Sequence, residues 1–155
     1  MQRNRLKPLR LPPKIKVLEA LSAVADKRVL EVTDNEAIVR SSDGSRSYEV
    51  FVDLEAMQVY SSDNGTIYRG YIGYPIIAFM MKRGTLPYDP DVADKLKGIN
   101  WRKLNEQYKK YTVVEKIVKN IFSRRNGDLE KLEALVNRVM QALKHYNLVL
   151  KERPE

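Results

Sequence analysis

The chain reads as an α+β protein: an N-terminal helix, an antiparallel β-meander with a ββα unit, then a C-terminal bundle of helices. Two changes of pattern predict this. Between Arg28 and Ile72 short β-rich runs are separated by turn-forming pairs, and after Gly73 the apolar period becomes helical and stays helical. A hydrophobic content of 43% in 155 residues suffices for a core without metal or disulfide.

The elements follow in order. Residues 1–12 form a basic arm without periodicity, ended by Pro12-Pro13, and Pro13 suits the first turn of a helix. Ile15, Leu18, Leu21, Ser22 and Ala25 recur at helical spacing, with Val17 and Val24 widening the face, which predicts a helix over Lys14–Ala25. Strands are predicted over Arg28–Thr33, Ala37–Ser42, Arg46–Asp53, Met57–Ser61 and Thr66–Ile72. Asp43-Gly44 and Asn64-Gly65 supply turn chemistry between them. In the middle strand Tyr48, Val50 and Val52 alternate with Glu49, Phe51 and Asp53, so one face is buried and the other wet. Pro75–Arg83 is a helix closed by Gly84. Leu86-Pro87-Tyr88-Asp89-Pro90 is a rigid connector and the expected boundary between an α+β domain (13–84) and a helical region (85–155). Helices are then predicted over Pro90–Lys97, capped by Asp89, Trp101–Tyr111, Val113–Arg124, and Leu129–Leu148, capped by Asp128.

In the last helix Leu129, Leu132, Val136, Val139, Leu143, Tyr146 and Leu150 stand three and four residues apart. Two readings explain this seam. It dimerises the protein or docks a partner protein, or it packs against Val114, Ile117, Val118 and Ile121 of the preceding helix as an α-hairpin.

Composition excludes several chemistries. There is no cysteine and one histidine, His145, so a four-ligand Cys/His zinc site within the chain is ruled out, as are cysteine nucleophiles and disulfides. Asp89, Asp91 and Asp94 read as helix-capping carboxylates, since their spacing lacks the glycine and distal glutamate of a calcium loop. No glycine-rich phosphate loop follows a strand and no nucleophile is paired with a base. The expectation is a non-enzymatic binding protein without a cofactor or a catalytic residue. The longest apolar run, Ile72–Met81, is about half a bilayer span and is broken by Gly73 and Pro75. No secretory leader is visible, and a cytoplasmic, non-membrane protein is expected. The lack of cysteine and the 31% of charged residues also suit a thermophilic source.

Charge is segregated. Residues 1–16 carry Arg3, Arg5, Lys7, Arg10, Lys14 and Lys16 and no acid, and residues 31–65 carry eight acids against Arg40 and Arg46. Residues 101–125 carry Arg102, Lys103, Lys109, Lys110, Lys116, Lys119, Arg124 and Arg125 against Glu106 and Glu115. Clustered Lys and Arg favour phosphate backbones through counterion release, and aromatics beside them stack on bases. DNA or RNA is therefore the expected partner, contacted through the arm (Arg3, Arg5, Lys7, Arg10) and the basic helices. The alternative is a protein-interaction or assembly subunit that uses the C-terminal helices. Trp101, Leu104, Tyr108 and Tyr111 fall on one helical face and are expected in the core.

Residues 47–82, SYEVFVDLEAMQVYSSDNGTIYRGYIGYPIIAFMMK, resemble a SWIM zinc finger, a ββα unit with Cys-x-Cys on a hairpin and Cys-x-His opening a helix. The ligand positions fall on Val59, Ser61, Gly73 and Pro75, so all four ligands are replaced. The resemblance implies a metal-free scaffold that binds DNA or protein. Val59 is expected to point inward, with Ile76, Ile77, Phe79 or Met80 packing the helix on the hairpin in place of the metal.

Overall fold

The computed structural model describes residues 6–151. Its elements are β1 (Lys7–Pro8), α1 (Ile15–Ala25), β2 (Val29–Glu31), β3 (Glu36–Arg40), β4 (Ser47–Asp53), β5 (Gln58–Ser61), α2 (Asn64–Ile67), α3 (Tyr74–Lys82), α4 (Pro90–Asp94), α5 (Trp101–Gln107), α6 (Tyr111–Arg124), α7 (Leu129–Tyr146) and β6 (Val149–Leu150). The α+β class is as the periodicity predicts.

The strands form one sheet in the order β1-β6-β5-β4-β3-β2. β2 to β5 are the expected antiparallel meander: Val29 pairs with Val39, Ala37 with Val50, and Val52 with Val59. Alternation along β4 buries Val50 and Val52 and leaves Ser47 and Glu49 in water.

Three expectations about the sheet are corrected. It is mixed rather than wholly antiparallel, because β6 runs parallel to β5, with Gln58 opposite Val149 and Val59 opposite Leu150. Leu150 is thus a strand residue rather than part of the helical seam. α7 stops at Tyr146 because Asn147 takes the left-handed conformation, a conformation asparagine tolerates better than most residues. The arm, from residue 6 onward, is an edge of the sheet: Lys7 pairs with Leu150, and the Leu9 amide donates to the Leu148 carbonyl (3.0 Å). Finally, Thr66–Ile72 is not a strand. The Asp63 carboxylate accepts from the Thr66 amide (3.1 Å) and hydroxyl (2.8 Å), so Asp63 starts a turn of helix where a hairpin turn is expected. Only Tyr71 joins the sheet direction, as a parallel bridge to Arg10.

α1 carries more than one apolar face. Nine of its eleven residues are buried, including Ala20, Ala23 and Ser22, and the small side chains let α3 and α4 approach closely. The Ser22 hydroxyl donates to the Leu96 carbonyl beyond α4. α3 covers the inner face of β2 to β5 with Ile76, Ile77, Phe79 and Met80, each fully buried, and Val59 is fully buried in the same core. The buried cluster continues through the connector, from Met81 to Leu86, Val92 and Leu96 and on to α6 and α7. In α7 Leu132, Leu135, Val136, Val139 and Leu143 lie in that cluster with Val114, Val118 and Phe122 of α6, which is the α-hairpin reading of the seam.

Two of the remaining helices, α4 and α5, are shorter than predicted, and α6 begins two residues earlier. α4 ends at Asp94 and α5 at Gln107, where Tyr108 is extended, and Tyr111 opens α6. Lys109 and Lys110 therefore lie on a connector rather than on a helix face. Of the four residues expected on one buried face, Trp101 is buried and Leu104 and Tyr111 are half-buried, but Tyr108 is exposed.

Candidate functional site: an aromatic cleft with a basic rim

A cleft of about 720 Å³ opens between segments distant in sequence. α1 supplies its floor with Lys16 and Glu19, an i,i+3 pair that lies on one side of a helix. The turn between β3 and β4 brings Ser41 and Arg46, and the start of β4 brings Tyr48. The α2 segment brings Asn64, Arg69 and Tyr71, and α3 begins with Tyr74. α5, the connector after it and the start of α6 close the other side with Trp101, Arg102, Tyr108, Lys109 and Tyr111.

The floor is polar and ordered. Lys16 Nζ donates to Glu19 Oε1 (2.9 Å) and stands 5.1 Å from the centre of the Tyr111 ring. Burial pulls the Lys16 ammonium down, but the charge and hydrogen bond of Glu19 outweigh it and leave the group raised above its ordinary value. Glu19 is 4% exposed. Tyr71 and Tyr111 share a hydrogen bond between their hydroxyls (3.2 Å), and Tyr48 meets Tyr74 edge to face at 6.1 Å. Burial and the nearby Glu19 carboxylate push Tyr74 well above the usual phenol range. Burial and the Tyr111 hydroxyl do the same for Tyr71, and burial raises Tyr48. All three phenols are therefore neutral hydrogen-bonding groups at neutral pH. Trp101 Nε1 is buried and has no acceptor among the described residues.

Two glycines fix the wall at α2. A Cβ at Gly65 would lie 2.5 Å from Tyr71 Cε1, and one at Gly73 would collide with the Asp63 carboxylate that caps α2. Asp63 and Tyr71 can hold their places only because both positions lack a side chain.

The rim is basic. Arg46, Arg69 and Lys109 are exposed and make no ion pair among the described residues, and Tyr68 next to Arg69 is 81% exposed. Arg10 joins this rim: its guanidinium donates to the Arg69 carbonyl, and its amide donates to Gly70 (2.9 Å).

The sequence-predicted residues divide accordingly. Arg102 and Lys109 line the cleft, and Arg10 bonds the Arg69 carbonyl without lining it. Arg102 is engaged by Glu106 (3.1 Å), Asp43 (3.7 Å) and the Ser45 hydroxyl. Its partner Asp43 is held down to about 2, chiefly by hydrogen bonds from the Ser45 side chain and backbone. Lys119 is held by Glu115 (3.0 Å) and Glu133 (2.8 Å). Arg125 donates to the carbonyls of Lys95 (3.1 Å) and Lys97 (2.6 Å). Lys7, Lys103, Lys110, Lys116 and Arg124 are exposed and do not line the cleft. Arg3 and Arg5 lie outside the described residues. Sequence reasoning missed Lys16, Glu19, Arg46 and Arg69. Lys16 reads as the end of the basic N-terminal run and Glu19 as an ordinary helix residue, and the last two sit in or beside the acidic stretch whose sign masked them.

Among the described residues no group of three or more His, Asp or Glu is placed to hold a metal ion, and no helix is long and apolar enough to cross a membrane. No curated protein and no solved structure matches the chain. Residues 9–149 match a family model described as "Uncharacterised conserved protein UCP014422", and the chain belongs to that family.

Proposed function

We propose that this member of the family is a non-enzymatic nucleic-acid-binding protein whose contact surface is the aromatic cleft and its basic rim. The observation that carries the reading is convergence. Arg46, Arg69 and Lys109, from three separate segments and without an acid partner among the described residues, surround a cleft lined by five tyrosines and Trp101. Cations on the rim match a chain of phosphates, and aromatic faces match bases that are not already stacked in a duplex. The metal-free, SWIM-like reading of residues 47–82 fits this role as scaffold: buried Val59 and Ser61 on the hairpin and buried Gly73 and Pro75 at the start of α3 support a packed clamp.

The alternative, an assembly subunit joined through residues 129–150, has less surface to use, because Leu132, Val136, Val139 and Leu143 of the seam are buried in the chain's own core, while Leu129 is exposed and Tyr146 half-buried. The test is titration of the protein with labelled single strands and duplexes at several salt concentrations. Affinity should fall with salt at about 0.7 log units per log unit for each phosphate contacted on a single strand. Absence of binding at low salt would reject the reading.

A further inference from the structure

Resting on that reading, we infer that the cleft takes an unpaired base and that the Lys16–Glu19 pair on its floor reads the base edge, favouring guanine. The cleft is of the size that encloses a small organic group rather than a duplex. Its floor offers a donor beside an acceptor. Lys16 Nζ uses one proton on Glu19 Oε1, and Glu19 Oε2 takes no hydrogen bond among the described residues although Glu19 lines the cleft. Guanine presents the complement on its pairing edge: the O6 acceptor lies next to the N1–H and N2–H donors. Adenine and cytosine can set one amino N–H on the carboxylate and a ring nitrogen on Lys16, and uracil or thymine its N3–H and O4, so each of these gives the carboxylate one donor where guanine gives two. Tyr111, whose ring already faces the Lys16 ammonium, and Tyr74 and Tyr48 are neutral walls for the base, and Arg69 and Lys109 stand on the rim for flanking phosphates. Discrimination comes from a buried carboxylate, because any other base supplies it with one hydrogen bond fewer than guanine does.

The experiment uses the full chain and short labelled single strands that differ only at one central base, with guanosine monophosphate as a competitor. The strand with central guanine should bind about fivefold or more tighter than those with adenine or cytosine, the span of one good bidentate contact. Glu19→Gln, folded by circular dichroism, should level the three affinities and leave the salt slope unchanged. Equal affinities in the unsubstituted protein would overturn the inference while salt-dependent binding kept the broader reading, and this arm needs no variant to fold. Competition by the mononucleotide as effective as by the strand would support the floor chemistry and identify a free nucleotide as its source. Failure of every strand and of the mononucleotide to bind at low salt would overturn both.

Discussion

The outer face of α6 and the rim of the cleft are both basic, but they are built differently. Along α6 and the residue after it the charges follow one another on a single helix, and two of the four are engaged by the protein itself: Lys119 by two glutamates, Arg125 by two backbone carbonyls. Around the cleft, Arg46, Arg69 and Lys109 come from a turn, a loop and a connector, hold no acid partner among the described residues, and stand beside aromatic rings. An engaged surface cation contributes solubility and a few tenths of a kcal/mol of structure. Cations that converge on a concave aromatic surface have a use for a ligand. Linear charge density and a binding site are thus different properties, and in this chain the denser run is the less convincing site.

Breaking the comparison requires equal changes on both sides. Reversing two cleft cations, Arg69→Glu with Lys109→Glu, should give the largest loss of nucleic-acid affinity and lower the salt slope by about 1.4, two contacts at about 0.7 each. Titrations at several salt concentrations measure both quantities. Gly65→Ala should come next: its methyl group meets the Tyr71 ring, and overpacking of this kind costs about 1–3 kcal/mol. A lowered denaturant midpoint together with weakened binding is expected. Reversing two exposed cations of the other region, Lys116→Glu with Arg124→Glu, should change affinity by far less than the cleft pair and leave the slope nearly unaltered. An equal loss would return the site to α6.

Smaller effects sharpen the account of the floor. Tyr48, Tyr71, Tyr74 and Lys16 are all raised above their ordinary values by folding. A raised group contributes stability that is complete below its unfolded value and is lost as pH climbs through the folded one. Thermal stability should therefore hold to about pH 10 and fall beyond it, with tyrosinate absorbance appearing late. Asp43 has the opposite sign. Its depressed value means that its contribution is present above about pH 4 and lost as pH falls toward about 2. The shift in melting temperature there should be the smallest of the set, because the group is exposed.

Much of the fold was legible in local pattern. The meander from Val29 to Ser61 and the switch to helices after Gly73 depend on residues close in sequence, and the two stripes of α6 and α7 find each other across a short turn. What escaped was non-local. Nothing in Lys7-Pro8 or Val149-Leu150 announces that these two-residue strands pair with each other and with β5, because pairing between chain ends leaves no periodic signal. Asp63-Asn64-Gly65 has the composition of a hairpin turn, and only the Asp63 carboxylate's bonds to Thr66 make it a helix cap. The site failed for the same reason. Arg102, Lys109 and Arg10 were legible as cations, but their meeting with Glu19, Arg46 and Arg69 depends on tertiary arrangement alone.

Trp101 is the only tryptophan in the chain and lines the cleft, so its emission reports directly on whether that cleft is occupied. Titration with a short single strand at low salt should change Trp101 fluorescence saturably, with the same midpoint as the anisotropy of the labelled strand, and Arg69→Glu with Lys109→Glu should weaken both signals together. Binding seen by anisotropy while Trp101 emission stays constant and the double reversal has no effect would place the nucleic acid elsewhere and contradict the account.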